Sequence, residues 1–212
     1  MESRNRPRAW GAPSARNARW IAVAVWGLAS ALPLSALLAE GGFQIEGGDR
    51  VLVSGGVVYS RDLDEPVFKT TCAVAKCHDA ETREEDLSFE SFEEMTKGGD
   101  DGPVFIPGDS SSSELLLRLL GKKKPPMPLK QKPLPGETTR AIARWVDTGV
   151  LRLQATLAGA EAAASWSVVP DSFGIVSSNG YFTPNVEEGE GLVVAAYKTA
   201  SDTIRVLVRR EE

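Results

Sequence analysis

The rhythm of apolar and polar positions divides this chain into stretches. From Trp20 to Ala39 apolar residues run almost unbroken, interrupted only by Gly27, Ser30, Pro33 and Ser35. A run of this length can span a bilayer as a helix. From Glu40 to Arg61 short β-like fragments follow: Phe43 and Ile45, then Val51-Leu52-Val53, then Val57-Val58-Tyr59. They are separated by Gly47-Gly48 and Gly55-Gly56, which reads as strand pieces or an ordered linker.

Between Asp62 and Gly149 the pattern becomes helical, with Gly/Pro loops between short elements. Asp64-Glu65-Pro66-Val67-Phe68 predicts a helix start with Pro66 near its first position. Ser91-Phe92-Glu93-Glu94 is a capping-box pattern whose helix stops at Gly98-Gly99, and Ser111-Ser112-Ser113-Glu114 opens another over Leu115–Leu120. A third helix is predicted from about Glu137 to Thr148, with Ile142, Trp145 and Val146 on one face and Gly149 closing it. Beyond Gly149 the period falls to two. Leu151, Leu153, Ala155 and Leu157 mark the apolar face of one strand, and Trp166–Val169 is the next. Ile175-Val176 and Tyr181-Phe182 flank the turn Ser178-Asn179-Gly180, and strands over Gly191–Tyr197 and Thr203–Val208 complete a small sandwich.

Composition changes this picture in one respect. At 212 residues, 42% hydrophobic and 25% charged, the chain suits one large or two small globular domains. The formal charge of −5 is uneven: the first forty residues carry five arginines and two glutamates, leaving 19 basic and 27 acidic residues after them. That acidic remainder shows no nucleic-acid footprint. Arg4, Arg6, Arg8, Arg16 and Arg19 precede the apolar run, so residues 1–40 read as a signal sequence or, preferably, an uncleaved single-pass anchor. Neither Leu37-x-Ala39 nor Leu34-x-Ala36 makes a good cleavage site. The arginines keep the N-terminus cytoplasmic and send the rest across, by general secretion since no Arg-Arg pair precedes the apolar run.

The candidate chemistry is concentrated in Thr71-Cys72-Ala73-Val74-Ala75-Lys76-Cys77-His78, which holds both cysteines and the single histidine of the chain. Two thiols can form thioethers with the vinyl groups of a haem, and a histidine directly after the second is then placed as an axial ligand. Four residues separate the cysteines where two are usual, so the loop must bulge. An ordinary disulfide remains an alternative in an exported chain. Structural zinc would need a fourth ligand such as Asp79, and a redox dithiol would want a thioredoxin-like context. Lys122-Lys123-Lys124-Pro125-Pro126-Met127-Pro128 supplies a methionine in a proline-stiffened loop, the kind of thioether that can stand opposite histidine; Met95, on a short helix, is its competitor. Lys122, Lys123, Lys124, Lys130 and Lys132 bracket Met127 and would offer a positive docking patch to an acidic partner.

Several further blocks give these residues a context. Tyr59–Phe68 leads into Cys72–His78. Then come Asp86-Leu87-Ser88-Phe89 with Lys97-Gly98-Gly99, Pro107-Gly108-Asp109-Ser110 with Ser113-Glu114-Leu115, and Met127-Pro128 with Leu134 and Ala143–Gly149. In this order the stretch from Tyr59 to Gly149 resembles bacterial c-type cytochrome domains related to the Planctomycete-type cytochrome c family. Pro135-Gly136 departs from the family's usual helix cap. The resemblance implies one covalent haem c on Cys72 and Cys77, with His78 and Met127 as axial ligands. The C-terminal stretch resembles the bacterial Ig-like group 2 domain, with its first strand missing after Gly149.

The expected fold is therefore multidomain α and β. A small all-α, class I-like cytochrome c domain (59–149) and an all-β Ig-like sandwich (150–212) would follow a transmembrane or signal helix, with 41–58 supplying the sandwich's first strand. The expected role is electron transfer rather than enzymatic catalysis. It would run between redox protein partners, such as a membrane electron-transfer complex, from the periplasmic side of a bacterial inner membrane or as an exported soluble protein. A haem sensor or enzyme with an open iron site, and an Ig-like structural or adhesive subunit, are the competing readings.

Overall fold

The computed structural model describes residues 42–210. The apolar run Trp20–Ala39, expected to form an anchor or signal, lies outside them. Among the described residues no helix is long and apolar enough to cross a membrane.

Among the described residues β1 (Phe43–Ile45) and β2 (Arg50–Ser54) come first, four helices longer than one turn follow, and the chain then returns to strands. The helices are α1 (Tyr59–Cys72), α2 (Phe92–Lys97), α3 (Glu114–Leu119) and α4 (Gly136–Thr148). The later strands are β3 (Leu151–Arg152), β4 (Ala155–Leu157), β5 (Ala160–Glu161), β6 (Ser165–Val169), β7 (Gly174–Val176), β8 (Tyr181–Pro184), β9 (Gly189–Tyr197) and β10 (Ala200–Arg210).

Two of the helices differ from their sequence-based expectation. Helix α1 begins at Tyr59, and Pro66 lies inside it rather than at its start. Proline lacks the N–H and crowds the carbonyl of an α-helical ladder. Here the coil is wider, with π-type bonds such as Ala73 N–H to the Phe68 carbonyl at 2.8 Å, a winding that tends to mark functional segments. At α3 the serine run does not cap as its pattern suggests. The Ser113 hydroxyl donates to the Asp109 carbonyl at 2.7 Å and accepts from the Ile106 N–H at 2.8 Å, tying down the preceding loop instead. Helix α2 keeps its cap, because Ser91 Oγ accepts from the Glu94 N–H at 3.2 Å.

The helices enclose an aromatic core. Ile142, Trp145 and Val146 of α4 are fully buried. Trp145 lies 5.3 Å from the Tyr59 ring and 5.1 Å from Phe105, centroid to centroid. Its indole N–H donates to Thr183 Oγ1 of β8 at 3.1 Å, and that hydroxyl donates to the Gly149 carbonyl at 2.9 Å. The helical core is thus hydrogen-bonded to the β part at its centre, and Ile175 and Tyr181 pack against it. At the turn between β7 and β8, Ser178 bonds Glu93 through its N–H and hydroxyl, while the Asn179 amide donates to the Thr96 carbonyl at 2.8 Å.

The strands form one four-stranded sheet, β2-β10-β9-β6, and two three-stranded sheets, β1-β4-β5 and β3-β8-β7. One apolar core serves all three, with Ile45, Leu52, Leu153, Phe182, Val193 and Val206 at its centre. The alternating stretch Leu151–Leu157 does not make one strand. It is shared between two sheets, with Leu153 crossing at 1% exposure and Leu157 left 38% exposed. β1 pairs antiparallel with β4 (Phe43 opposite Leu157), and β2 pairs parallel with β10 (Leu52 opposite Val208). The Gly-rich segment before the helices therefore lies within the sheets formed after them. The helical part leaves and rejoins the strands at neighbouring points: Gly55 N–H donates to Thr148 Oγ1 at 3.2 Å, and Arg144 reaches the Gly55 carbonyl.

Thr156 in β4 is 2% exposed, and its hydroxyl has no hydrogen-bond partner. An unmet buried hydroxyl costs about 1–3 kcal/mol. Thr156→Val keeps the β-branched shape, removes that cost, and is expected to raise Tm by about 2–4 °C in a thermal melt followed by circular dichroism. A lower Tm would show that the hydroxyl is satisfied.

Candidate haem site

The wide end of α1 delivers Cys72 to the start of a tightly bonded loop. His78 N–H donates to the Cys72 carbonyl at 3.2 Å and Cys77 N–H to Val74 at 3.0 Å; Phe89 N–H then returns to the His78 carbonyl at 2.9 Å. The widened spacing between the cysteines is absorbed at Lys76, which takes a left-handed φ of 69° and donates its N–H to Thr82 Oγ1 at 3.2 Å. Arg83, Glu85 and Asp86 also have positive φ. Such conformations cost roughly 1–3 kcal/mol each and concentrate at functional sites.

His78 is oriented from behind. Its Nδ1 lies 3.0 Å from the Glu84 carbonyl, and its ring centroid is 5.7 Å from that of Phe89. A carbonyl can only accept, so Nδ1 carries a proton and a neutral ring keeps its lone pair on Nε2. That is how a metal-ligating imidazole is normally fixed in tautomer and direction. Both cysteines are free thiols. Burial first, and the neighbouring Cys77 second, push the Cys72 thiol up to about 12, so it is held neutral rather than as the reactive thiolate of a redox dithiol. Among the described residues, no cluster of three His, Cys, Asp or Glu side chains could hold a metal ion.

Cys72, Cys77, His78 and Met127 line one cavity of about 490 Å³, a size within the usual range for small-molecule and cofactor pockets. Its wall is apolar through Leu87, Phe89, Val104, Leu115 and Leu119. Met127 reaches it from the loop after α3, with its N–H donating to the Arg118 carbonyl at 3.1 Å between Pro126 and Pro128. Met95 does not line the cavity; it is 1% exposed in the helical core. Two thiols, an imidazole with a fixed tautomer, a thioether and a greasy wall fit a covalently held haem.

The five lysines around Met127 are placed differently from a simple positive rim. None lines the cavity. Lys123 is engaged by Glu114 at 2.8 Å and Asp101 at 3.6 Å, while Lys122, Lys124, Lys130 and Lys132 are exposed. The cavity wall itself carries Glu84, Glu85, Asp100, Asp101 and Glu114 against Lys76 and Arg118. Arg118 bonds Glu114 and Asp101, so two of these carboxylates are already neutralised. Sequence reasoning missed the Glu84 carbonyl behind His78, since a backbone acceptor leaves no side-chain signal. It also missed Arg118 of α3, whose pairing with Asp101 beside the cavity joins residues 17 positions apart.

A model of the Planctomycete cytochrome C family matches residues 75–128, about a quarter of the chain. The matched stretch runs through Cys77 and His78 to Met127-Pro128, and Cys72 lies just before it. No curated protein matches the chain. The match supports a cytochrome c-like domain here, and that family binds haem c.

Proposed function

We propose that the chain is a monohaem c-type cytochrome that carries electrons between redox proteins at a membrane. One observation carries the reading: the fold collects both cysteines, the tautomer-fixed His78 and Met127 on one apolar cavity. Cys72 and Cys77 would hold the haem covalently, and His78 and Met127 would be its axial ligands. Bound there, the haem would supply a one-electron carrier whose potential follows its axial ligands and its burial. The chain's own work is to exclude water with Leu87, Phe89, Val104, Leu115 and Leu119, and to hold His78 rigidly through the Glu84 carbonyl. Both His78 and Met127 would be committed to holding the haem, whereas a sensor or enzyme would need Met127 withdrawn. This favours electron transfer over a sensor or enzyme.

The β part is a scaffold in this reading, Ig-like in its strand content, and Trp20–Ala39 is its single-pass anchor. The lysines near Met127 and the carboxylates of the cavity wall would face redox partners with opposite charges side by side. The test is the mass of the mature chain purified from cells that assemble c-type cytochromes. The expected mass is that of the polypeptide plus one haem, stable to denaturation. A polypeptide mass with no haem, or one lower by the two hydrogens of a disulfide, overturns the reading.

A further inference from the structure

The end of the β part where the chain emerges from the apolar run has an unusual surface. Phe43 follows Ala39 by four positions. Its ring stacks on Tyr197 at 6.1 Å with 19° between the planes, and its strand partner is Leu157. The β4–β5 turn beside it, Leu157-Ala158-Gly159-Ala160, is exposed throughout, and Ala163 is exposed beyond it, while Ala162 and Ala164 are half-buried. The only carboxylate in this stretch is Glu161, which is 3.6 Å from Arg152. The adjoining β9–β10 turn presents Lys198 above the Tyr197 ring at 5.2 Å, and Ala200 at its base. Asp202, the nearest carboxylate along β10, is turned onto the backbone of Ile45 and Thr203.

We propose that these two turns form a foot that rests in the headgroup layer of the bilayer, with Leu157, Ala160, Phe43 and Tyr197 at the acyl boundary and Lys198 among lipid phosphates. The proposal rests on the anchor reading of Trp20–Ala39. An amphipathic aromatic ring and a flexible ammonium are the side chains that settle at such interfaces, and small apolar residues exposed in turns gain from shallow burial there. The short link from Ala39 to Phe43 is the observation that selects lipid as the occupant. A few residues can span only about 3.5 Å each, so an anchored chain brings this end to the membrane surface.

The foot also sets a distance. β2 runs parallel to β10 and ends with Ser54 opposite Arg210, at the far end of the sheet from Ala200. At about 3.3 Å per residue the length of β10 puts that end roughly 35 Å from the foot. The chain enters the helical part from there. The helical part also reaches back along the sandwich, because Asn179 bonds Thr96 of α2 and its carbonyl accepts from Arg152, the partner of Glu161.

The experiment uses the full haem-loaded chain in nanodiscs of phosphatidylethanolamine and phosphatidylglycerol. A photoreactive benzoylphenylalanine replaces Ala160 in one variant and Lys132 in another, and adducts are identified by mass. The expected result is a lipid adduct at Ala160 at least about tenfold more abundant than at Lys132. No lipid adduct at Ala160 in a disc-embedded chain overturns the foot and leaves the anchor standing. An adduct at Ala160 to a second copy of the chain also overturns it. A chain that stays out of the discs removes the anchor reading, and the foot with it.

Discussion

A fragment starting at Val150 is expected to be unfolded or aggregated, and joining Phe43–Val58 to it through a short flexible linker is expected to restore a cooperative fold. β2 is the outer neighbour of β10, paired with it from Arg50–Val206 to Ser54–Arg210. Without it the longest strand becomes a bare edge, a template for pairing with other chains. Leu52 and Ile45, at 6% and 4% exposure, would leave the core as well. Each fully buried side chain of this kind contributes about 1.5–3 kcal/mol. Their joint loss therefore approaches the 3–5 kcal/mol that so small a core rarely exceeds. A linker suffices because Gly55 and Thr148 are in hydrogen-bond contact. The check is a denaturant melt by circular dichroism on both polypeptides. A soluble Val150–Glu212 fragment with a cooperative transition would make the β part independent of the N-terminal strands.

The same strands show where sequence legibility ends. Valines and glycines between residues 43 and 58 read as β-like, but nothing local says that one piece runs parallel to β10 and the other antiparallel to β4. Those choices are settled by partners more than a hundred residues away. The split of Leu151–Leu157 has the same cause: the period-two pattern is continuous, yet Leu153 N–H is taken by the Gly180 carbonyl at the crossing between sheets. Pro66 misled for a related reason. Its local preference for a first turn is overridden by Leu63, Val67 and Phe68, buried by packing across the helix. Where local and long-range demands agree, the reading held. The apolar face of α4, the Ser91 cap and the Ser178-Asn179-Gly180 turn are all where their patterns put them.

At the cavity, residue types were legible and their supports were not. Thiols, an imidazole and a thioether are recognisable as symbols in a sequence. The Glu84 carbonyl, the positive φ at Lys76 and the Arg118–Asp101 pair arise only from how the loops close. These supports matter because, on the haem reading, a ligand set held loosely would let water and other ligands compete with His78 and Met127.

Replacing Met127 with alanine is the substitution expected to change redox behaviour most while leaving the haem attached. Met127 is in a loop whose other cavity-lining members are prolines, Leu129 and Gln131, so its truncation removes no helix face and little core. The thioether is the group that would favour the reduced state opposite His78. Axial ligands move haem potentials over about 0.8 V, and the midpoint of Met127→Ala is expected to fall by roughly a tenth of that range or more. The vacated position should also let the reduced protein bind carbon monoxide, which the parent should not. Met95→Leu is the matched control. Met95 lies in the buried face of α2 away from the cavity, and a volume-conserving swap there costs less than about 1.5 kcal/mol without touching the midpoint. Spectroelectrochemical titration and a carbon monoxide difference spectrum measure both. An unchanged midpoint and no carbon monoxide binding in Met127→Ala would take the ligand role away from Met127. A shift in Met95→Leu instead would move that role to the core methionine.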